Sequence, residues 1–160
     1  MKTLTLALVA LLIAAQAHAH GNAVPQSPTP GNGEAVAEAA ATVDAFHDAL
    51  AKGDPGAAAA LLDDQVQIYE QGWVERSKTE YAAHHLASDM AFAAATASKR
   101  TFRSGSIIGD LAYVASEAAV TGTFKDKAVD SIVLETMVLR RSPNGWRIVH
   151  IHWSSRGAKK

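Results

Sequence analysis

Glu135-Thr136-Met137-Val138-Leu139-Arg140-Arg141-Ser142-Pro143-Asn144-Gly145-Trp146-Arg147-Ile148-Val149-His150-Ile151-His152-Trp153-Ser154-Ser155 reads as two antiparallel strands around one tight turn. Pro143 fixes φ, and Asn144-Gly145 tolerates the positive φ that a hairpin turn demands. Both flanks are rich in β-branched and aromatic residues. Alternate residues of a strand share a face, which places His150 and His152 together and Val149, Ile151 and Trp153 opposite them. One face of this hairpin therefore lines the core or a pocket.

Working outward, strands fill the second half of the chain. Thr101 to Ile108 leads through the turn Gly109-Asp110 into Leu111 to Phe124, and a charged turn at Lys125-Asp126-Lys127 leads into Ile132 to Arg141. The first half has helical periodicity instead. Val36, Ala39, Ala40, Val43, Phe46 and Leu50 form one face of a helix over Glu34 to Lys52. Gly53 suits the C′ position, Asp54 the next N-cap and Pro55 the first position of a short helix, Gly56 to Leu62. Val66 to Glu70 alternates as a strand. Ser77-Lys78-Thr79-Glu80 has the capping-box form and opens a third helix over Lys78 to Ala94. Helices first and long strands afterwards predict an α+β domain, a cone-like curved antiparallel sheet with the N-terminal helices packed on its concave face.

Residues 1–19 have the form of a secretory signal peptide: Lys2, the apolar run Leu4 to Ala15, and Ala17-His18-Ala19 at the cleavage spacing. Cleavage before His20 is expected, with His18 the competing start, which predicts a secreted or periplasmic protein. Residues 20–33, rich in proline and glycine, read as a flexible linker. The folded domain is expected over 34–156, with 157–160 as a tail. The chain has no cysteine and a formal charge of −1. Thiolate chemistry is excluded, and the formal charge argues against nucleic-acid binding, which needs a basic face. No membrane partner is expected after cleavage.

In its order of elements the chain resembles the nuclear transport factor two-like superfamily. It looks most like the SnoaL-like proteins and the association (hub) domain of calcium/calmodulin-dependent kinases. Val43-x-x-Phe46, Gly53-Asp54, Tyr69-Glu70, the His85 region, Gly109-Asp110, Glu135-Thr136 and Gly145-Trp146 to Ser154 carry the likeness. It implies a pocket between helices and concave sheet, with Glu135, Met137, Val149, Ile151 and Trp153 facing inward. It also implies that His85 points in from the third helix and that Tyr69, Glu70 and Trp73 sit near the rim. The hub branch holds small carboxylates with arginines at the positions of Ala118, Met137 and Trp153. Those residues are uncharged here, so a more apolar pocket is expected.

His85 with Glu135 is the acid–base pair this sequence suggests, since a carboxylate beside an imidazole fixes its tautomer and poises it for proton transfer. The same two residues could equally satisfy one another in a polar patch. Tyr69, Glu70, Trp73, Tyr81, Met137, Ile151 and Trp153 are the expected ligand contacts. His150-x-His152 could place two imidazoles on a metal, and a mature N-terminal His20 could chelate copper; neither set is complete, and no cofactor is expected. Asp44 and Asp48 read as an exposed helical stripe. Two functions follow: a small, mostly apolar ligand bound in the cone, or acid–base chemistry of the ketosteroid-isomerase or polyketide-cyclase kind. A structural oligomerisation module is a third, and a homodimer through the convex sheet face is expected.

Overall fold

The computed structural model describes residues 33–158. The expected signal peptide, nearly all of the expected linker, His20 and the end of the expected tail lie outside the described residues. Helix α1 spans Gly33–Lys52 and α2 Pro55–Leu61; β1 (Leu62–Glu70) and β2 (Trp73–Glu75) follow. Then come α3 (Lys78–His84), α4 (Leu86–Ala95) and four long strands: β3 (Thr96–Ile108), β4 (Leu111–Phe124), β5 (Lys127–Ser142) and β6 (Gly145–Gly157).

Local chemistry accounts for most boundaries. At the end of α1, Gly53 takes φ +66° while its N–H reaches the Leu50 carbonyl and the Asp54 N–H reaches Ala49, a Schellman closure. Asp54 then caps α2 by accepting from the Ala57 N–H at 2.9 Å. Ser77 caps α3 by accepting from the Glu80 N–H, and the Glu80 carboxylate reaches back to the Arg76 N–H. The hairpin turn between β4 and β5 puts both Lys125 and Asp126 at positive φ. The single helix expected over 78–94 is two, broken at His85, whose φ widens to −106° where its ring is tied to Glu75 of β2.

The sheet order is β2-β1-β6-β5-β4-β3. β3 to β6 form an antiparallel meander, but β1 pairs with β6 in parallel, so the sheet is mixed rather than antiparallel throughout. Hairpin turns dictate direction within the meander. No turn joins β1 to β6, and the long stretch between them is ample for the crossover a parallel pair needs.

The core lies between α1 and the inner sheet face: Val43, Phe46 and Leu50 pack on Val114, Met137, Leu139, Ile148 and Ile151. Register on β5 is as expected, with Glu135, Met137 and Leu139 inside. On β6 it changes midway. Val138 pairs with His150 but Leu139 with Ile148, so Val149 is a bulged extra residue. Val149 therefore leaves the concave row, and Ile148 and Trp146 take its place in the core. Close approach of neighbouring backbone explains Gly105. A Cβ there would come within 2.7 Å of the Tyr113 carbonyl oxygen and 3.1 Å of Val36 on α1.

Candidate functional site

Beyond the core, the inner sheet face and the helices α1 and α4 enclose an open-mouthed cavity of about 710 Å³. Inner-facing positions alternate toward it: Ser116, Ala118 and Val120 on β4, Val133 and Glu135 on β5, Trp153 and Ser155 on β6. Asp44, His47, Asp48 and Ala51 present one stripe of α1, while Ser88, Asp89, Phe92 and Ala93 present α4.

Glu135 is the most buried acid on this wall, 7 % exposed. Its Oε2 accepts from His47 at 2.6 Å and from the Trp153 indole N–H at 2.8 Å. Trp153 is itself held by stacking on Phe46, with ring centroids 6.4 Å apart. Burial works to raise the Glu135 carboxyl, but the hydrogen bond and charge of His47, the Trp153 N–H and the Arg103 cation outweigh it. The carboxyl rests below the ordinary carboxylate range. An ionised Glu135 only accepts, so the His47 Nε2 supplies the proton of this bond. The other carboxylate oxygen, Oε1, is buried with no hydrogen-bond partner among the described residues.

Glu135 pairs in register with Trp153, and Trp153 pairs with Glu70 across the parallel seam. The three residues form one rung, and the two acids stand two strand spacings apart, about 10 Å between backbones. Their environments differ. Burial and the Asp89 carboxyl push Glu70 up to about 7, with His85 pulling the other way. Burial likewise raises Asp89, although the Tyr81 hydroxyl donates to it at 2.8 Å.

The acid–base pair expected from sequence is therefore rearranged. His85 does not meet Glu135; its Nδ1 bonds Glu75, a carboxylate 4 % exposed, and His84 contacts the same group at 3.3 Å. His47 occupies the place expected for His85, because α1 and not the third helix crosses this part of the sheet. Among the expected ligand contacts, Glu70 and Trp153 line the cavity. Met137 and Ile151 face the same way but lie fully buried in the core beneath it, and Tyr81 is buried behind Asp89. Tyr69 lies on the outer face, edge-on to His150. Trp73 is exposed beside His85. His150 and His152 follow Val138 and Thr136 on the outer face.

Glu75, Glu80 and His84 bring ligand atoms within 4.8 Å of one another, the one such metal-ligating group among the described residues. These atoms are already engaged: Glu75 by two imidazoles and Glu80 by the Arg76 N–H.

The wall is also more polar than expected. Arg100 and Arg103 of β3 both reach Asp44 at 2.8 Å, which removes Asp44 from the exposed stripe and makes it part of the site. In sequence, His47 stood at the edge of the apolar stripe of α1, four residues after Val43 and three before Leu50. That position was the available signal for an inward imidazole. The two arginines gave no comparable sign.

A curved sheet closed on its inner side by helices around such a cavity is the architecture of the nuclear transport factor two-like superfamily. Within it the chain belongs to the SnoaL-like domain family, whose pattern matches residues 39–156. A candidate ketosteroid isomerase from Shewanella frigidimarina is similar at 40 % identity with a TM-score of 0.70, covering 73 % of this chain and 94 % of its own. A candidate dehydratase from Streptomyces avermitilis is similar at 24 % identity and TM-score 0.67, over 78 % of this chain and 98 % of that one. A candidate calcium/calmodulin-dependent protein kinase II association domain from Xanthomonas campestris shares 23 % identity and TM-score 0.66, over 83 % and 95 %. The last two likenesses concern the fold alone. No curated protein sequence matches the chain.

Proposed function

We propose that the cavity is an active site for proton transfer on a small carbonyl compound, with His47 as base, Glu135 as the group that orients it and Glu70 as acid. The observation that carries this is the Glu135–Trp153–Glu70 rung, whose two carboxyls have opposite protonation preferences. Such a split assigns acid and base roles within one pocket. His47 Nδ1 would take a proton from carbon beside the carbonyl, and Glu135 would stabilise the imidazolium formed. The Glu70 O–H would give its proton at the other end of the substrate, to carbon in an isomerisation or to a departing hydroxyl in a dehydration. The resulting imidazolium and carboxylate would exchange protons with water through the open mouth. The 40 % identity with a candidate ketosteroid isomerase supports this chemistry. The test is exchange of α-hydrogens for deuterium in a panel of small ketones and enones in D₂O, followed by NMR. Wild type should accelerate exchange in at least one compound, and His47→Gln should lower that rate by roughly 10²–10⁴-fold. A rate unchanged by the substitution would end the role of His47.

We further propose that the chain is exported, on Lys2 and the apolar run after it, and that it pairs as a homodimer through the outer sheet face. Sequencing the N-terminus of exported protein tests the first and should begin at His20.

A further inference from the structure

We propose that Arg100 and Arg103 form a carboxylate subsite in the cavity, so that its ligand is a small organic acid with an apolar body. This deepens the proton-transfer reading of the same cavity and rests on that cavity being the ligand site.

The two arginines are three apart on β3, a spacing that would put them on opposite faces of a regular strand. A bulge prevents this. Arg100 pairs with Ala118 but Phe102 pairs with Glu117, so Thr101 is the extra residue and Arg103 returns to the inner face opposite Ser116. Bulges of this kind re-aim a side chain at a site. Both guanidiniums then converge on one carboxylate, Asp44, each at 2.8 Å. Two cations share one anion, leaving an excess positive charge on this wall.

Donor bookkeeping gives the same result. A guanidinium has five N–H groups. Arg103 donates its Nε–H to the Ser116 hydroxyl at 3.1 Å and is ion-paired with Asp44 through Nη1 at 2.8 Å. Its side chain is 17 % exposed, yet none of its nitrogens is among the buried unpartnered atoms, so the spare N–H groups open onto the cavity. A planar fork with free, half-desolvated N–H groups fits a carboxylate better than any neutral acceptor.

The other acids facing the cavity do not cancel this preference. Glu135 is held mainly by His47 and Trp153, with the Arg103 cation adding at longer range, and burial raises both Glu70 and Asp89. Asp48 also faces the cavity from α1, but its side chain is 74 % exposed and solvated, with Lys52 at 3.9 Å. Beside the arginines, Ala118, Val120, Val133 and the edge-on pair Phe92–Phe124 give an apolar wall for the body of the ligand.

The probe is benzoate at neutral pH, with benzamide as its uncharged counterpart, each followed by calorimetric titration and by thermal stabilisation of the full chain. Benzoate should bind and raise the melting temperature, and benzamide should bind far more weakly. Arg103→Gln should weaken benzoate by roughly 10- to 100-fold, as expected for losing a charged hydrogen-bond donor. Arg100→Gln, nearer the mouth, covers the case in which the Arg103 variant fails to fold and should weaken it less. Asp44→Asn releases both guanidiniums and should tighten binding. Arg156→Gln, which removes a cation on the exposed end of β6, should leave it unchanged. No benzoate binding, equal binding of benzamide, or affinity indifferent to Arg100, Arg103 and Asp44 would overturn the subsite. Benzoate binding through the arginines without any deuterium exchange would leave the subsite standing and remove the enzymatic reading; the reverse pair of results would do the opposite.

Discussion

His47 of α1 and Glu135 of β5 meet at 2.6 Å although 88 residues separate them in the chain. The bond joins a half-exposed imidazole to a nearly buried carboxylate, and the Trp153 N–H completes the arrangement from the next strand. The carboxylate is thereby kept ionised in a place where burial alone would neutralise it.

Trp153→Phe removes that N–H and keeps most of the ring that stacks on Phe46. The buried Glu135 oxygen loses a donor, which costs about 1–3 kcal/mol of stability. Urea denaturation at neutral pH measures this. The loss should shrink toward acid pH, because the lowered Glu135 contributes stability above its unfolded value, near 4.5, and that contribution disappears as the carboxyl takes up a proton. A neutral Trp153→Phe would mean that the indole bond holds nothing in place.

Glu70 should act with the opposite sign. Its folded value near 7 lies above the ordinary 4.5, so the folded state holds a proton that the unfolded chain has released. Stability should therefore fall as pH rises from about 4.5 through 7, and level off above. Glu70→Gln keeps the shape without the charge. It should flatten this slope, leaving the variant more stable than wild type at pH 8 and little different below pH 5. Melting temperatures across that range decide it, and parallel curves for the two proteins would contradict the raised value.

The lesson for sequence reading lies in which contacts are local. Gly53-Asp54-Pro55, Ser77 and Glu80, and the turns at Gly109 and Gly145 act within a few residues, so their chemistry was visible in the chain. Strand alternation also placed Glu135 and Trp153 on the inner face. Three features escaped because nothing within a strand encodes them. The bulges at Thr101 and Val149 arise from pairing with a neighbour, and they decide where Arg103 and Ile148 point. The parallel seam of β1 and β6 brings Glu70 beside Trp153, and it depends on how the whole intervening chain is laid down. His47 meets Glu135 only because α1 crosses the sheet at that height.

Met137 separates core from site. It shares a strand face with Glu135 but is fully buried beneath the cavity. Met137→Ala should cost about 2–5 kcal/mol through the void it leaves. Leu134→Ala, on the opposite and half-exposed face of the same strand, should cost far less. Chemical denaturation of both compares them directly, and similar losses would show that the outer face is as well packed as the inner.

That outer face leads to the last expectation. Phe102, Tyr113, Leu134 and Tyr69 are each 40–50 % exposed there, beside Val138, His150 and His152. The patch crosses five of the six strands, more apolar surface than a monomer comfortably leaves in water. A second copy related by a two-fold axis would cover it with the same residues, and Leu134→Glu would place a charge in the middle of the seam. The histidines make the pairing sensitive to acid. Burial lowers His150 from its ordinary 6.5, the charge of His152 adds to this, and only its bond to the Gln67 backbone resists. His150 therefore stays neutral through physiological pH and gains its charge below 6.5, where burial against a partner becomes costly. Sedimentation should show a dimer at pH 7.5, a monomer for Leu134→Glu, and dissociation of wild type on acidification below 6.5. A monomeric wild type at neutral pH and micromolar concentration would defeat the dimer. A dimer unmoved by acid would leave the interface intact and remove the histidines from it.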